Sequence, residues 1–206
     1  MHPLWHAVFG NHNAVEIEIG PGTGTFIIPA AVRRSDVNFF GIERSPSRAS
    51  ALAAIVANSG LANVRVIAAD AACVVTTIIP TASVSAFHAY FPDPWWKRRH
   101  QRRRVFTPHF AEALARALVP TGRLHVATDV DELFAHILRT LECAPDLEYD
   151  PNGRSPRPRL TVFERKGLAR GALIQEAAFV KTLDAPRRTI AHVSNAAPIT
   201  PAESPS

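Results

Sequence analysis

The amino-acid sequence predicts an α/β protein with a doubly wound, mostly parallel β-sheet, on three observations. Short runs rich in β-branched residues alternate with longer Ala- and Leu-rich stretches between about residues 14 and 141, the pattern of β-α-β units around a parallel sheet. A glycine cluster, EIGPGTG at 18–24, joins the first run to the stretch after it. Each later run is followed by an acidic residue. Ligands of open α/β sheets bind beyond the carboxyl ends of the strands, so these acids converge where a ligand would sit.

Strands are expected at 14–19 (AVEIEI), 37–42 (VNFFGI), 64–67 (VRVI), 84–90 (VSAFHAY) and 123–127 (RLHVA). Their Val, Ile and Phe content suits a pleated, half-buried surface. Helices fill the intervals at 25–33, 46–59, 71–79, 108–118 and 130–141. Pro108 suits a first helical turn, where its missing N–H would be unpaired anyway. His88 and His125 alternate with apolar residues on their strands and are expected to be packed.

With 47% apolar and 20% charged residues among 206, the chain can bury one sizeable core. A single domain over 1–180 is expected, then a Pro-rich, poorly ordered tail over 181–206. The 23 basic residues against 18 acidic ones give +5, and the excess is concentrated in one run, where local density matters more than the total. Cys73 and Cys143 lack a CxxC pattern or a His at ligand spacing, so neither a disulfide framework nor a metal site is expected. No apolar run approaches the ~18 residues of a membrane span, and MHPLWHAVFG lacks the features of a signal peptide. A soluble, cytoplasmic protein without membrane contact is therefore expected, with monomer and homodimer both open.

In the glycine loop, Gly20, Gly22 and Gly24 let the backbone turn tightly and approach a ligand. The spacing is GxGxG, and Glu18 stands directly before it. A carboxylate there would repel a pyrophosphate but suits a ligand carrying an ammonium and a sulfonium, such as S-adenosylmethionine. Glu43, 19 residues after Gly24, is placed to accept from ribose hydroxyls. Asp70 is placed to accept from an adenine amino group. The segment FPDPWWKRRHQRRR at 91–104 sets Asp93 between two prolines, then two indoles, then six Lys and Arg side chains within eight positions from Lys97. Six cations without an intervening acid favour phosphate binding. Trp95 and Trp96 can stack a base or pack the loop onto the core.

In this order, EIGPGTG, GIERS, the Asp70-Ala71 pair, FPDPWWKRRHQRRR, LHVATDV and TVFERKG resemble the motifs of bacterial tRNA (guanine-N7-)-methyltransferases, over about residues 14–179. FPDPW with the basic run after it is much more specific than the glycine loop. The resemblance implies a seven-stranded sheet of the class I (Rossmann-like) methyltransferase type and S-adenosylmethionine-dependent transfer to N7 of a guanine, at variable-loop position 46, in tRNA. It places Glu18, Gly20, Gly22, Gly24, Glu43, Asp70 and Asp93 beside the cofactor, with Asp93 also catalytic. It assigns Lys97, Asp129, Thr161, Val162, Phe163 and Glu164 to substrate, and Arg98, Arg99, His100, Arg102, Arg103 and Arg104 to RNA. Asp129 can also cap the helix after it.

The guanine N7 lone pair carries no proton, so the chemistry implied for Asp93 is to orient the base and stabilise the cationic ring. Three departures from the family pattern concern the substrate side. The segment ahead of the first strand is short, the spacing from Pro158 to Thr161 is one residue longer, and Gln175-Glu176 replaces the customary tryptophan-aspartate. Alternatives are a same-fold methyltransferase acting on another RNA and a non-catalytic RNA-binding paralogue. A nicotinamide-dependent oxidoreductase is disfavoured by Glu18 and the arginine run.

Overall fold

Alternation within the strands sorts the side chains onto two faces, and the core forms on both. The computed structural model describes residues 2–95, 98–157 and 173–182. Seven strands form one sheet: β1 (Ala14–Ile19), β2 (Val37–Glu43), β3 (Val64–Ala68), β4 (Val84–Tyr90), β5 (Leu118–Thr128), β6 (Leu147–Tyr149) and β7 (Gln175–Lys181). Their order is β3-β2-β1-β4-β5-β7-β6. All pairs from β3 to β5 are parallel, and β7 enters antiparallel between β5 and β6. After β3 the chain crosses back over the sheet to β4, so the switch point at which such folds hold ligands lies between the neighbouring strands β1 and β4.

Val15, Ile17 and Ile19 of β1 face one side and join Phe87 of β4 and Leu124 of β5 in the larger core cluster. That cluster is covered by α1 (Pro3–Phe9), α4 (Ala71–Thr77), α5 (Pro108–Ala117) and α6 (Asp131–Glu142). On the other side α2 (Ile27–Arg33) and α3 (Pro46–Asn58) bury Phe26, Ile27, Leu52 and Val56 against Phe39 and Val64. Glu16 and Glu18 belong to this second side, because successive strand residues point to opposite faces.

The bounds of β1 and β4 are those expected from the sequence, and each expected helix is present within two residues at either end. Pro108 occupies the first turn of α5, where Thr107 Oγ1 accepts from the Phe110 N–H at 3.2 Å. Two features differ. A helix over Pro3–Phe9 precedes β1, with the His2 ring accepting from the Leu4 N–H and Trp5 fully buried edge-on to Phe40 at 5.4 Å. β5 begins at Leu118, not at residue 123, with a register irregularity opposite Val84 to Ala86 that takes up the extra residues between Leu118 and Arg123. Of the expected tail, Lys181 ends β7 and pairs with Leu147. Residues 183–206 lie outside the described residues.

Candidate active site

Gly20, Gly22 and Gly24 all have positive φ (71°, 54° and 81°), a backbone that L side chains adopt at a cost. The loop is closed by the Gly24 N–H donating to the Pro21 carbonyl at 2.8 Å and by the Gly20 N–H donating to the Ile42 carbonyl at 2.9 Å. A methyl at position 24 would lie 2.5 Å from Leu52 Cδ1, so this glycine also lets α3 close against the loop.

Below the loop lie two acids with different surroundings. Glu43 accepts from the Gly22 N–H at 3.1 Å, the Ser45 N–H at 2.8 Å and Arg48 Nε at 3.2 Å. It therefore shapes the loop as well as facing it. Glu18 is 4% exposed, and its Oε2 is buried without a hydrogen-bond partner. Burial pushes its carboxyl up to about 8, against a backbone hydrogen bond from Ile27 and with a smaller push from Glu43. A buried carboxyl with one unused oxygen is complementary to a cation brought in by a ligand.

Asp70 is exposed and caps α4, its Oδ1 accepting from the Cys73 N–H at 3.1 Å. Asp93 is exposed in the loop after β4, flanked by two non-glycine residues of positive φ, Phe91 (52°) and Trp95 (48°). Such backbone strain concentrates at functional sites. The Phe91 N–H donates to the Ala127 carbonyl at 2.7 Å, which pins the loop to the end of β5. Asp129 does not cap α6: Val130 holds the N-cap position without a side-chain hydrogen bond, and Thr128 Oγ1 accepts from the Val130 N–H at 3.3 Å.

The basic run divides within itself. Arg98–Arg103 forms a 3-10 turn. Arg103 is exposed, its guanidinium 5.1 Å from the centre of the Trp95 ring, and His100 meets that ring edge-on at 6.1 Å. Arg104, expected among the RNA contacts, is instead buried at 8% exposure. Its Nε donates to the Pro94 carbonyl at 3.1 Å and its Nη2 to Glu132 at 3.0 Å, so it holds the Asp93 loop. Arg99 is exposed. The positions of Trp96, Lys97 and Thr161, Val162, Phe163 and Glu164, and the side chains of Arg98 and Arg102, lie outside the described residues.

This division has a measurable outcome. Arg104→Ala is expected to cost ~2 kcal/mol of stability in denaturant unfolding, from its lost hydrogen bonds, without changing the salt slope of RNA binding. Arg103→Ala is expected to leave stability within ~0.5 kcal/mol and to flatten that slope by about 0.7–0.9, one phosphate contact.

On the second face, toward the amino ends of β1, β4 and β5, a cavity of about 590 Å³ is lined by Glu16, Arg34, His88, Arg123, His125 and Asp150 among others. None of the acids expected at the cofactor lines it. His88 and His125 are buried and stacked at 5.3 Å, as their alternation implies. Burial lowers both, His125 to about 3. Sequence reasoning passed over Glu16, although AVEIEI places it on the same face as Glu18. Burial alone would raise Glu16, but hydrogen bonds from His88 and from both terminal nitrogens of Arg34 hold it at about 2. A depressed carboxyl contributes stability that is present above its unfolded value of 4.5 and lost as pH falls towards about 2. Acid unfolding of Glu16→Gln followed by circular dichroism is expected to lose the part of the slope that falls in that window.

Among the described residues no three or more His, Cys, Asp or Glu side chains are grouped to hold a metal ion, and no helix is long and apolar enough to cross a membrane. Cys73 and Cys143 are free and exposed.

The sheet order, the glycine loop and the acids at its carboxyl edge define a class I methyltransferase. Solved structures agree on the fold: the 16S rRNA methyltransferase KamB superposes with a TM-score of 0.62 at 16% identity, over 86% of this chain and 92% of that one. The aminoglycoside resistance methyltransferase NpmB1 gives 0.58 at 16%, with the same coverage. The sequence profile of a family described as putative methyltransferase matches residues 12–177. A tRNA (guanine-N(7)-)-methyltransferase of Ralstonia nicotianae is 38% identical over 181 residues, 86% of this chain and 72% of that protein. One of Aliivibrio salmonicida is 38% identical over 168 residues, 79% and 71% of the two chains. The chain belongs to the tRNA (guanine-N7-)-methyltransferase family.

Proposed function

We propose that this protein transfers a methyl group from S-adenosylmethionine to N7 of a variable-loop guanine in tRNA. The observation that carries the reading is the single sheet edge at which a buried, half-partnered Glu18, the glycine loop and the exposed Asp93 on its strained loop converge. The residues fit the cofactor: Glu18 offers an unused buried oxygen to its cationic portion, Glu43 lies beneath the loop that faces its ribose, and Asp70 is exposed at the end of β3. When bound, the cofactor supplies a methyl group activated by a positively charged sulfur.

Asp93 orients the guanine and balances the charge the ring acquires, and it needs to remove no proton because N7 carries none. Arg104 keeps Asp93 in place through Pro94. Arg98, Arg99, His100, Arg102 and Arg103, with Lys97, contact the tRNA backbone, while Asp129 and Thr161, Val162, Phe163 and Glu164 serve the substrate. The catalytic unit is a single domain closed by β7. The test incubates the protein with labelled S-adenosylmethionine and unmodified tRNA and identifies the labelled nucleoside by mass spectrometry. Label in 7-methylguanosine is expected, and label in another nucleoside overturns the assignment.

A further inference from the structure

A chain of hydrogen bonds crosses the second face of the sheet, and its direction follows from the charges at its end. Arg34 donates twice to Glu16, at 2.7 and 2.9 Å. An ionised Glu16 can only accept, so His88 Nε2, at 2.9 Å, is the donor. Burial keeps the His88 ring neutral, so its Nδ1 accepts from the Tyr90 hydroxyl at 2.9 Å. With its proton so used, the Tyr90 oxygen accepts from Ser155 Oγ at 2.9 Å. Ser155 in turn accepts from the Arg157 N–H at 3.4 Å. Every donor points towards Glu16, a network with one arrangement of protons.

The far end of this network is the strap 150–157. The Asp150 N–H donates to the Ala178 carbonyl at 2.8 Å, Asp150 pairs with Arg123, and Arg157 pairs with Glu176, all fixing the strap to β5 and β7. Ser155–Tyr90 fixes it to β4, the strand that delivers the Asp93 loop, and the Arg157 guanidinium lies 5.7 Å from the Phe91 ring. Tyr90 is itself held edge-on to Phe26 at 5.0 Å, so its hydroxyl has little freedom to wander.

We infer that Tyr90 is a positioning residue for the proposed reaction: bonded to Ser155 and His88, it sets the spacing between the strap and the Asp93 loop, and with it the fit of the tRNA substrate. The inference rests on the function proposed above, and two readouts keep the two apart. Deuterium exchange of the 150–157 amides reads the tether alone. Exchange is expected to quicken about fivefold, the worth of one hydrogen bond, in Ser155→Ala and in Tyr90→Phe. Ser155→Ala leaves the Tyr90–His88 bond in place but removes the acceptor of the Arg157 N–H, so the Arg157 amide is left out of its reading; Tyr90→Phe keeps that acceptor. Unchanged exchange in both overturns the tether.

Steady-state kinetics read the consequence. KM for tRNA is expected to rise about fivefold in each variant with kcat within about twofold, and the double variant to be no worse than either single one. Ser155→Thr, which keeps the hydroxyl, is expected to restore the wild-type KM. Faster exchange with an unchanged KM, or a double variant showing the product of the single effects, overturns the positioning role. A wild type that makes no 7-methylguanosine overturns the function proposed above; the exchange arm then still decides the tether.

Discussion

Asp93→Ala is expected to slow methyl transfer on the order of 10³-fold while leaving the affinity for S-adenosylmethionine within about threefold of wild type, because the side chain acts where charge develops. The structure gives this expectation its form. Asp93 is exposed and has no hydrogen bond among the described residues, yet its loop is held by Arg104 through Pro94 and by Phe91 through Ala127. A rigid loop presenting an uncommitted carboxyl suits orientation of an incoming base. Asp93→Asn, which keeps the shape and loses the charge, is expected to fall between wild type and Asp93→Ala. Since N7 has no proton to give up, kcat at saturating tRNA is expected to show a solvent deuterium isotope effect close to one. A large isotope effect that vanishes in Asp93→Asn would make the residue a proton acceptor and overturn this role.

Binding of S-adenosylmethionine at pH 7 is expected to release close to one proton. The Glu18 carboxyl is pushed up to about 8 by burial, so at pH 7 it is mostly protonated in the ligand-free protein. A cationic ligand favours the ionised form and expels the proton. Calorimetric titrations in buffers of different ionisation enthalpy measure the release, and Glu18→Gln is expected to abolish it and to weaken binding about tenfold or more. Equal heats in all buffers would remove Glu18 from the cofactor. The same shift acts on folding with the opposite sign to that of Glu16. A raised carboxyl destabilises the ligand-free protein as pH climbs from its unfolded value of 4.5 towards about 8, and the ligand relieves the penalty.

The strand ends that carry the proposed cofactor site were legible in the sequence because their signals are local. β1, the glycine loop and Glu18 are adjacent in the chain, and Glu43, Asp70 and Asp93 each follow a strand whose composition announces it. β6 has only three residues, and β7 carries two alanines at its centre, so neither has the β-branched content that marks the other strands. The family resemblance implied seven strands where periodicity showed five. α1 is seven residues long, too short for a helical period to stand out. Arg104 differs from Arg103 in nothing that composition reveals; only the fold turns one inward. The Ser155–Tyr90–His88–Glu16 chain joins residues up to 139 positions apart, each ordinary alone.

The place of β7 has a consequence for how this protein is made. Among the described residues β6 pairs with β7 and with no other strand, and β7 is what separates it from β5. While the ribosome is still short of Gln175, β5 presents an open edge and β6 has no mate. Among the described residues the sheet therefore finishes from its inside, by insertion of β7 between two strands made before it, a long-range closure of the kind that slows folding. Chains terminated before Gln175 would keep the glycine loop and Glu18, Glu43, Asp70 and Asp93 and still leave β5 without its β7 partner, and an unpaired strand edge is the state most prone to aggregate.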